Sequence, residues 1–390
     1  MDKVRYGVIG IGNMGRGHAS EIFKGNTKNA VLGAVCDNRQ SQLDWAKEQF
    51  GEAVPRFLDY KDLLKSGTCD AVIIATPHYL HPDMTIDAFA AGLHVLLEKP
   101  AGVYTKAVKE MNEAAKKSGL VFAIDYNQRT DPHYIKLREM VQGGEIGDLK
   151  RVVWLITDWY RTQSYYDSGS WRATWAGEGG GVLMNQAPHN LDLWQWIVGM
   201  PESVVGFCDF GKYHNIEVED DVTIFARYKN GATGVFITTT GECPGTNRLE
   251  ISGTKGKLVL EGGVIKFTKL SMDEREYCFQ SDSGFKKCEW STEEIPVVGG
   301  SGPQHNGIRE NVVDAILNGA EIIAPGCEGI NGLSLCNAAI LSSWQGNREV
   351  KLPICDAEYW TELEKRIKTS KSKENIAEKT SDLAGTYGTN

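Results

Sequence analysis

The chain has 390 residues, of which 41% are hydrophobic and 24% charged, and a net charge of −9. That length exceeds one compact core and predicts two domains, while the acidic balance argues against nucleic acid or an anionic membrane as partner. No apolar run approaches the roughly 18 residues of a membrane span, and the first residues enter a strand pattern with no secretory signal ahead of it.

Residues 3–127 alternate short apolar runs with amphipathic helical runs. The strand candidates are "VRYGVIG", "AVLGAVCD", "DAVIIATP", "HVLLEK" and "LVFAIDY". Near-continuous Val/Ile/Leu strands joined by helical crossovers predict a parallel sheet covered on both faces, a doubly wound α/β domain over residues 1–127. A bridging helix, "DPHYIKLREMVQGG", leads into a different pattern. From about residue 149 the chain alternates over long stretches, and "DDVTIFARYKNGATGVFITTT" carries Asn230-Gly231, a strong hairpin signal, at its centre. "RLEISGTKGKLVLEGGVIKFTKL" adds two Gly-centred turns. Residues 128–365 therefore read as an α+β domain with a large, mainly antiparallel open sheet. Two helices, a strand "EVKLP" and a helix "DAEYWTELEKRIKT" close it, and residues 366–390 read as a polar tail or arm. An exposed sheet face predicts a homo-oligomer, a dimer or tetramer. Nine scattered cysteines with no CxxC pair predict buried, reduced thiols in a bacterial cytoplasm, with no disulfide framework and no metal site.

Gly10-x-Gly12-x-x-Gly15, enclosing Asn13 and Met14, follows the first strand and opens a helix. The glycines allow a tight turn and close approach of backbone to a pyrophosphate, and the helix N-terminus supplies N–H groups. Asp37 closes the second strand, 22 residues after Gly15. A carboxylate there accepts from adenosine ribose hydroxyls and repels a 2′-phosphate, which favours NAD over NADP, although Arg39 beside it could accommodate that phosphate. Thr76 and Pro77 end another strand, where ligands of open α/β sheets bind. His78 and His81 read as loop or cap histidines. In "LLEKP", Pro100 pins Lys99, next to Glu98, at the carboxyl edge of the sheet. Further on, "GGGVLMNQAPHNLDLW" reads as a helix with Asn185 and His189 on one face. Alone, His189 is either a buried structural residue or an acid/base.

The combination of GxGxxG, ATP with a nearby histidine, EKP, and a GGG-initiated helix with a histidine resembles the Gfo/Idh/MocA oxidoreductases over residues 1–365. The resemblance implies an N-terminal Rossmann domain and a C-terminal domain whose open sheet often forms oligomer contacts. It also implies NAD(P)-linked oxidation or reduction of sugars and cyclitols, with Lys99 and His189 catalytic. The family's helix commonly has aspartate four residues before the histidine; this chain has Asn185, which orients substrate or imidazole but lends no charge. The expected consequence is a His189 of lowered pKa, neutral near pH 7 and suited to act as base. Asp192 reads as a helix-packing residue.

Residues 154–175 hold seven of the chain's 24 Trp and Tyr. Tyr160, Trp171, Arg172 and Trp175 are the expected sugar contacts there, since ring faces stack on C–H faces and polar tips meet hydroxyls. Tyr126 and Arg129, after the last strand of the first sheet, are further candidates, with Arg129 equally able to pack the domains. The expected function is NAD-dependent hydride transfer between nicotinamide and a ring hydroxyl or ketone of a sugar, glycoside or cyclitol, with C3 of a pyranose suggested by analogy. The alternatives are a redox-assisted glycosidase that recycles its NAD, and a non-catalytic NAD-binding regulator.

Overall fold

The structure is a computed structural model and describes residues 2–371. Strands β1 (Val4–Ile9), β2 (Ala30–Cys36), β3 (Arg56–Phe57), β4 (Ala71–Ile74), β5 (His94–Leu97) and β6 (Phe122–Ile124) form one sheet. Its order is β3-β2-β1-β4-β5-β6, and every neighbouring pair is parallel. The winding reverses between β1 and β4, which opens a crevice at the carboxyl ends of the strands. β4 is wholly buried, as a central strand covered on both faces must be. The two-residue β3 has no counterpart in the sequence reading, because a pair of residues carries no period.

Strands β7 (Leu149–Ile156), β8 (Ser203–Phe210), β9 (Glu219–Arg227), β10 (Thr233–Thr239), β11 (Asn247–Gly253), β12 (Gly256–Glu261), β13 (Val264–Leu270), β14 (Trp290–Ile295) and β15 (Val350–Lys351) form the second sheet. The order is β14-β13-β12-β11-β7-β10-β9-β8-β15. β7 and β10 pair in parallel at its centre, and the other pairs are antiparallel. The Asn230-Gly231 turn joins β9 to β10, with Gly231 at φ 86°. Asn230 also donates to the Leu149 carbonyl (2.9 Å), so the hairpin tip is tied to the start of β7. One face of this sheet packs on helices; Trp194 of the helix Pro188–Val198 stacks on Phe236 of β10 at 5.4 Å. The helix Gln304–Asn318 returns to the first sheet, and Gly329–Trp344 packs on β8 of the second sheet and reaches the first unit at its start. Tyr6 of β1 donates to the Arg309 carbonyl, and Asn337 donates to that of Val103.

The segment expected as a single helix is two. Val182–Asn185 forms one turn, and a second helix runs Pro188–Val198. Pro188 has no N–H to continue the ladder and sits at the start of the second helix, where that loss is free. Asn185 and His189 therefore do not share the face of one helix. The first turn is capped from outside: buried Glu219 of β9 accepts the N–H groups of Gly181 (2.9 Å) and Leu183 (3.1 Å). The cysteine expectation holds only partly. All nine are free, but Cys243, Cys278, Cys327 and Cys355 are exposed. The polar tail expected from residue 366 starts inside the helix Asp356–Thr369, and residues 372–390 lie outside the described residues. Among the described residues, no helix is long and apolar enough to cross a membrane.

Burial pushes the Glu219 carboxyl up to about 7. Its folded value lies above the unfolded one, so its share of stability is complete below about 4.3 and is lost as pH rises toward 7. Glu219→Gln keeps an acceptor for the two N–H groups and removes the titration. The difference in unfolding free energy between variant and wild type should grow by about 1–3 kcal/mol between pH 5 and 8, in favour of the variant. Calorimetry across that range checks it, and a flat difference would show that Glu219 titrates normally.

Candidate active site

A cleft of about 660 Å³ opens at the carboxyl ends of the first sheet and is closed on its far side by residues of the second unit. Gly10, Gly12, Asn13, Met14, Asp37, Thr76, Pro77, Glu98 and Lys99 line it from one side, and Trp159, Arg161, Tyr165, Trp171, Arg172, Asn185, Gln186 and His189 from the other.

The glycine loop fits a dinucleotide. Gly10 sits at φ 86°, and a Cβ there would meet the Ala75 carbonyl at 2.7 Å. A Cβ on Gly15 would lie 1.9 Å from the Gly10 carbonyl oxygen, so this residue seats the helix against the turn and does not line the cleft. Gly12 faces open space, the room a pyrophosphate needs. Among the described residues no side chain caps the helix Asn13–Phe23, which leaves its first N–H groups to an anion. The buried Asp37 carboxylate accepts the N–H groups of Ile11 (3.0 Å) and Arg39 (3.1 Å). Those two bonds leave lone pairs for ribose hydroxyls. The Arg39 guanidinium pairs with the same carboxylate at 3.3 Å.

The Lys99–Pro100 peptide is cis. Lys99 projects across the cleft, and its Nζ donates to the main-chain carbonyl of Asn185 (2.7 Å). Burial pushes the Lys99 pKa down; Glu98 and Glu178 pull it up, and Arg172 and Arg161 add to the fall. His189 is 3% exposed, with Tyr126 edge-on at 6.2 Å. Burial, then the Lys99 charge, then His305 hold its pKa well below the usual histidine value. The direction agrees with the lowered pKa expected from the sequence, but burial and Lys99 are its main causes. Asn185 does not orient the ring: its side-chain amide donates to Glu178 and faces the Tyr165 hydroxyl (3.4 Å), while His189 Nδ1 is buried with no hydrogen-bond partner among the described residues.

The aromatic loop divides. Trp171 and Arg172 line the cleft, with Arg172 over both the Trp171 ring (4.7 Å) and the Tyr165 ring (4.6 Å). Trp175 is instead buried against Phe210 and Trp344, and Tyr160 is 45% exposed outside the cleft lining. Tyr126 and Arg129 also fall outside that lining. Arg129 makes a buried bidentate pair with Asp192 (2.7 Å on each branch) and a third contact with Glu328 (2.6 Å). This triad fastens the end of the first unit to the helix Pro188–Val198. Burial pushes Asp192 up even beside Arg129.

Several contributors are not apparent in the sequence. Tyr165 and Gln186 line the cleft, joined by a hydrogen bond of 3.2 Å. His78, read as a cap residue, also lines it, with Nδ1 against the Glu178 carbonyl at 3.1 Å. Behind Lys99, the side chains of His18, Glu98, Asp125 and His305 place their polar atoms within 4.8 Å of one another. Arg309 donates to His18 Nδ1 (2.9 Å), so the ring proton sits on Nε2 and points at Glu98 (2.8 Å). That nitrogen then has no lone pair for a metal. The cluster reads as a buried ion network that anchors Glu98 and, through the Lys99 N–H (3.2 Å), the base of the catalytic candidate. Only folding brings residues 18, 98, 125, 305 and 309 together, so no local motif announces them.

Fold and cleft together define an NAD-binding oxidoreductase of the Rossmann type. Residues 4–126 match the oxidoreductase family with an NAD-binding Rossmann fold, and residues 134–259 match the GFO/IDH/MocA C-terminal domain; the chain belongs to this family. It is 28% identical over 280 residues to the myo-inositol 2-dehydrogenase of Thermotoga maritima, covering 70% of this chain and 79% of that one. It is 31% identical over 201 residues to the D-glucoside 3-dehydrogenase of Escherichia coli, covering 51% of this chain and 55% of that one. The WlbA dehydrogenase of Bordetella pertussis, solved with NADH and UDP-GlcNAcA, superposes with a TM-score of 0.75 at 28% identity, covering 90% of this chain and all of that one.

Arg129 offers a clean test of packing against substrate contact. Arg129→Met should lower stability by about 3–5 kcal/mol, because it strands a buried Asp192 carboxylate. Denaturant titration reads this directly. Unchanged stability with a raised KM would restore the substrate-binding role.

Proposed function

We propose that the protein transfers a hydride between NAD and a ring hydroxyl or ketone of a sugar, glycoside or cyclitol, with C3 of a pyranose as the leading position. The observation that carries this reading is the meeting of Lys99, a cationic donor, and His189, a neutral base, in the cleft of the glycine loop. Bound NAD⁺ supplies the hydride acceptor. The chain's own residues do the rest. His189 accepts the hydroxyl proton as the C–H bond breaks. Lys99 donates a charge-assisted hydrogen bond to the same oxygen and steadies it as it becomes a carbonyl. The Trp171, Tyr165 and Arg172 wall offers faces for a sugar ring and donors for its hydroxyls. Similarity to the inositol and glucoside dehydrogenases supports the substrate class. NAD over NADP follows from Asp37, whose carboxylate opposes a 2′-phosphate. Assembly into two or four copies would cover the outer face of the second sheet, where Phe207 is 49% exposed.

Turnover should be sought with a panel of polyols and glycosides, following NADH absorbance and product mass together. Lys99→Ala and His189→Ala should each lower it by about 10²–10⁴-fold with NADH still bound. Near-wild-type turnover in either variant would sink the assignment. Cleaved glycoside without NADH accumulation would instead identify the redox-neutral glycosidase, and NADH binding with no chemistry a regulator. Asp37→Ala should erode the preference for NAD; unaltered selectivity would remove Asp37 from the ribose site.

A further inference from the structure

Glu178 lies in the loop just before the glycine run and is 2% exposed. One oxygen accepts from the Asn185 side-chain amide and the other from the Ala173 N–H (2.6 Å). Its own N–H donates to the Thr174 carbonyl (2.9 Å), and its carbonyl meets His78 (3.1 Å), so main chain and side chain are both held. Among the described residues, no cation lies within ion-pair distance of it. Burial raises the Glu178 pKa; Arg172, the bonds from Ala173 and Asn185, and Lys99 oppose that rise, and the carboxyl ionises above the usual carboxylate range. The backbone carbonyl of Asn185 is the acceptor of Lys99 Nζ. One residue thus links the two groups: its amide faces the carboxylate and its carbonyl faces the ammonium.

We infer that Glu178 is a positioning residue for Lys99: it fixes Asn185, whose carbonyl holds the ammonium, and supplies a buried negative charge facing that ammonium. This rests on the proposed role of Lys99 and His189. The other charged or titratable groups facing Lys99 are Glu98, Arg172, Arg161, His78, His81 and His189. Those facing Glu178, besides Lys99 and Arg172, are Tyr166 and Glu219. Burial lowers the pKa of Lys99, and Glu98 and Glu178 are the two carboxylates that oppose the fall. Removing one of them should let the ammonium lose its proton at lower pH. Asparagine at 185 is then a consequence. An aspartate would set a second carboxylate against Glu178, and two that close share a proton instead of both ionising.

The test compares wild type, Glu178→Gln and the double variant Glu178→Gln/Asn185→Asp. In Glu178→Gln the alkaline limb of kcat/KM for alcohol oxidation should move down by about one pH unit, with NADH affinity unchanged. The double variant, which returns one carboxylate to the pair, should move the limb back. A readout that needs no substrate is carbamylation of Lys99 by cyanate, followed against pH by peptide mass spectrometry; its profile should shift the same way. A folded Glu178→Gln protein with neither profile moved would overturn the inference and leave Glu178 a loop support. A shifted carbamylation profile with no polyol oxidised would uphold it while refuting the proposed reaction. Should Glu178→Gln not fold, Asn185→Asp alone carries the test. Its carbamylation profile should stay within a few tenths of a unit of wild type, and a full unit upward would overturn the inference.

Discussion

The hydrogen bond from the Lys99 ammonium to the Asn185 carbonyl joins the two halves of the site. In an unbroken helix that carbonyl would accept the N–H four residues on. Pro188 stops the first turn and starts a second helix, so the carbonyl is left to find another donor. A buried backbone oxygen without a partner costs free energy, and Lys99 reaches it from the carboxyl edge of β5. The break in the helix and the lysine at the sheet edge therefore depend on each other.

Around that bond the ionisable groups are largely buried, and burial is the first cause of their shifted protonation. His189 is neutral because an imidazolium would be both dehydrated and beside Lys99. Burial pushes the Lys99 pKa down, and Glu98 and Glu178 oppose that fall. Glu98 is in turn held by the His18–Arg309 network: burial and Asp125 push its carboxyl up, and His18 and His305 outweigh them. In water each of these interactions would be weak; a low local dielectric makes them strong enough to fix charge at a chosen atom. The helix Gln304–Asn318, far along the chain, thereby supports the base of the active site through His305 and Arg309.

How much of this is legible in the sequence depends on how far apart along the chain the parts lie. The doubly wound sheet, the NG hairpin and the glycine loop rest on neighbours in the chain, and the strands and turn fall where periodicity and turn chemistry put them. Lys99 and His189 stand out only through their combination with upstream motifs. The helix break is written in Ala187-Pro188, but the apolar run reads as continuous across it. Tyr126, Arg129 and Trp175 mislead for a common reason. Large polar-tipped residues near a strand end or an aromatic loop suit a ligand and a domain interface equally, and only burial with named partners separates the two. Glu178, Glu219 and His305 give no local signal, since each acts on a residue of another element or across a turn.

Asn185 illustrates the hazard of reading a motif position by itself. Asparagine in place of aspartate suggests a site short of one negative charge. Folding puts a buried carboxylate in hydrogen-bond contact with that very amide, so the charge is displaced by one side chain instead of lost. At 178 the carboxyl is itself dehydrated, which raises its pKa; the Ala173 N–H and the Asn185 amide bond to it, and Arg172 and Lys99 act on it through space. On the proposed reaction, a cationic Lys99 beside a neutral His189 would supply what oxidation of an alcohol requires: a donor for the oxygen and an empty base for its proton.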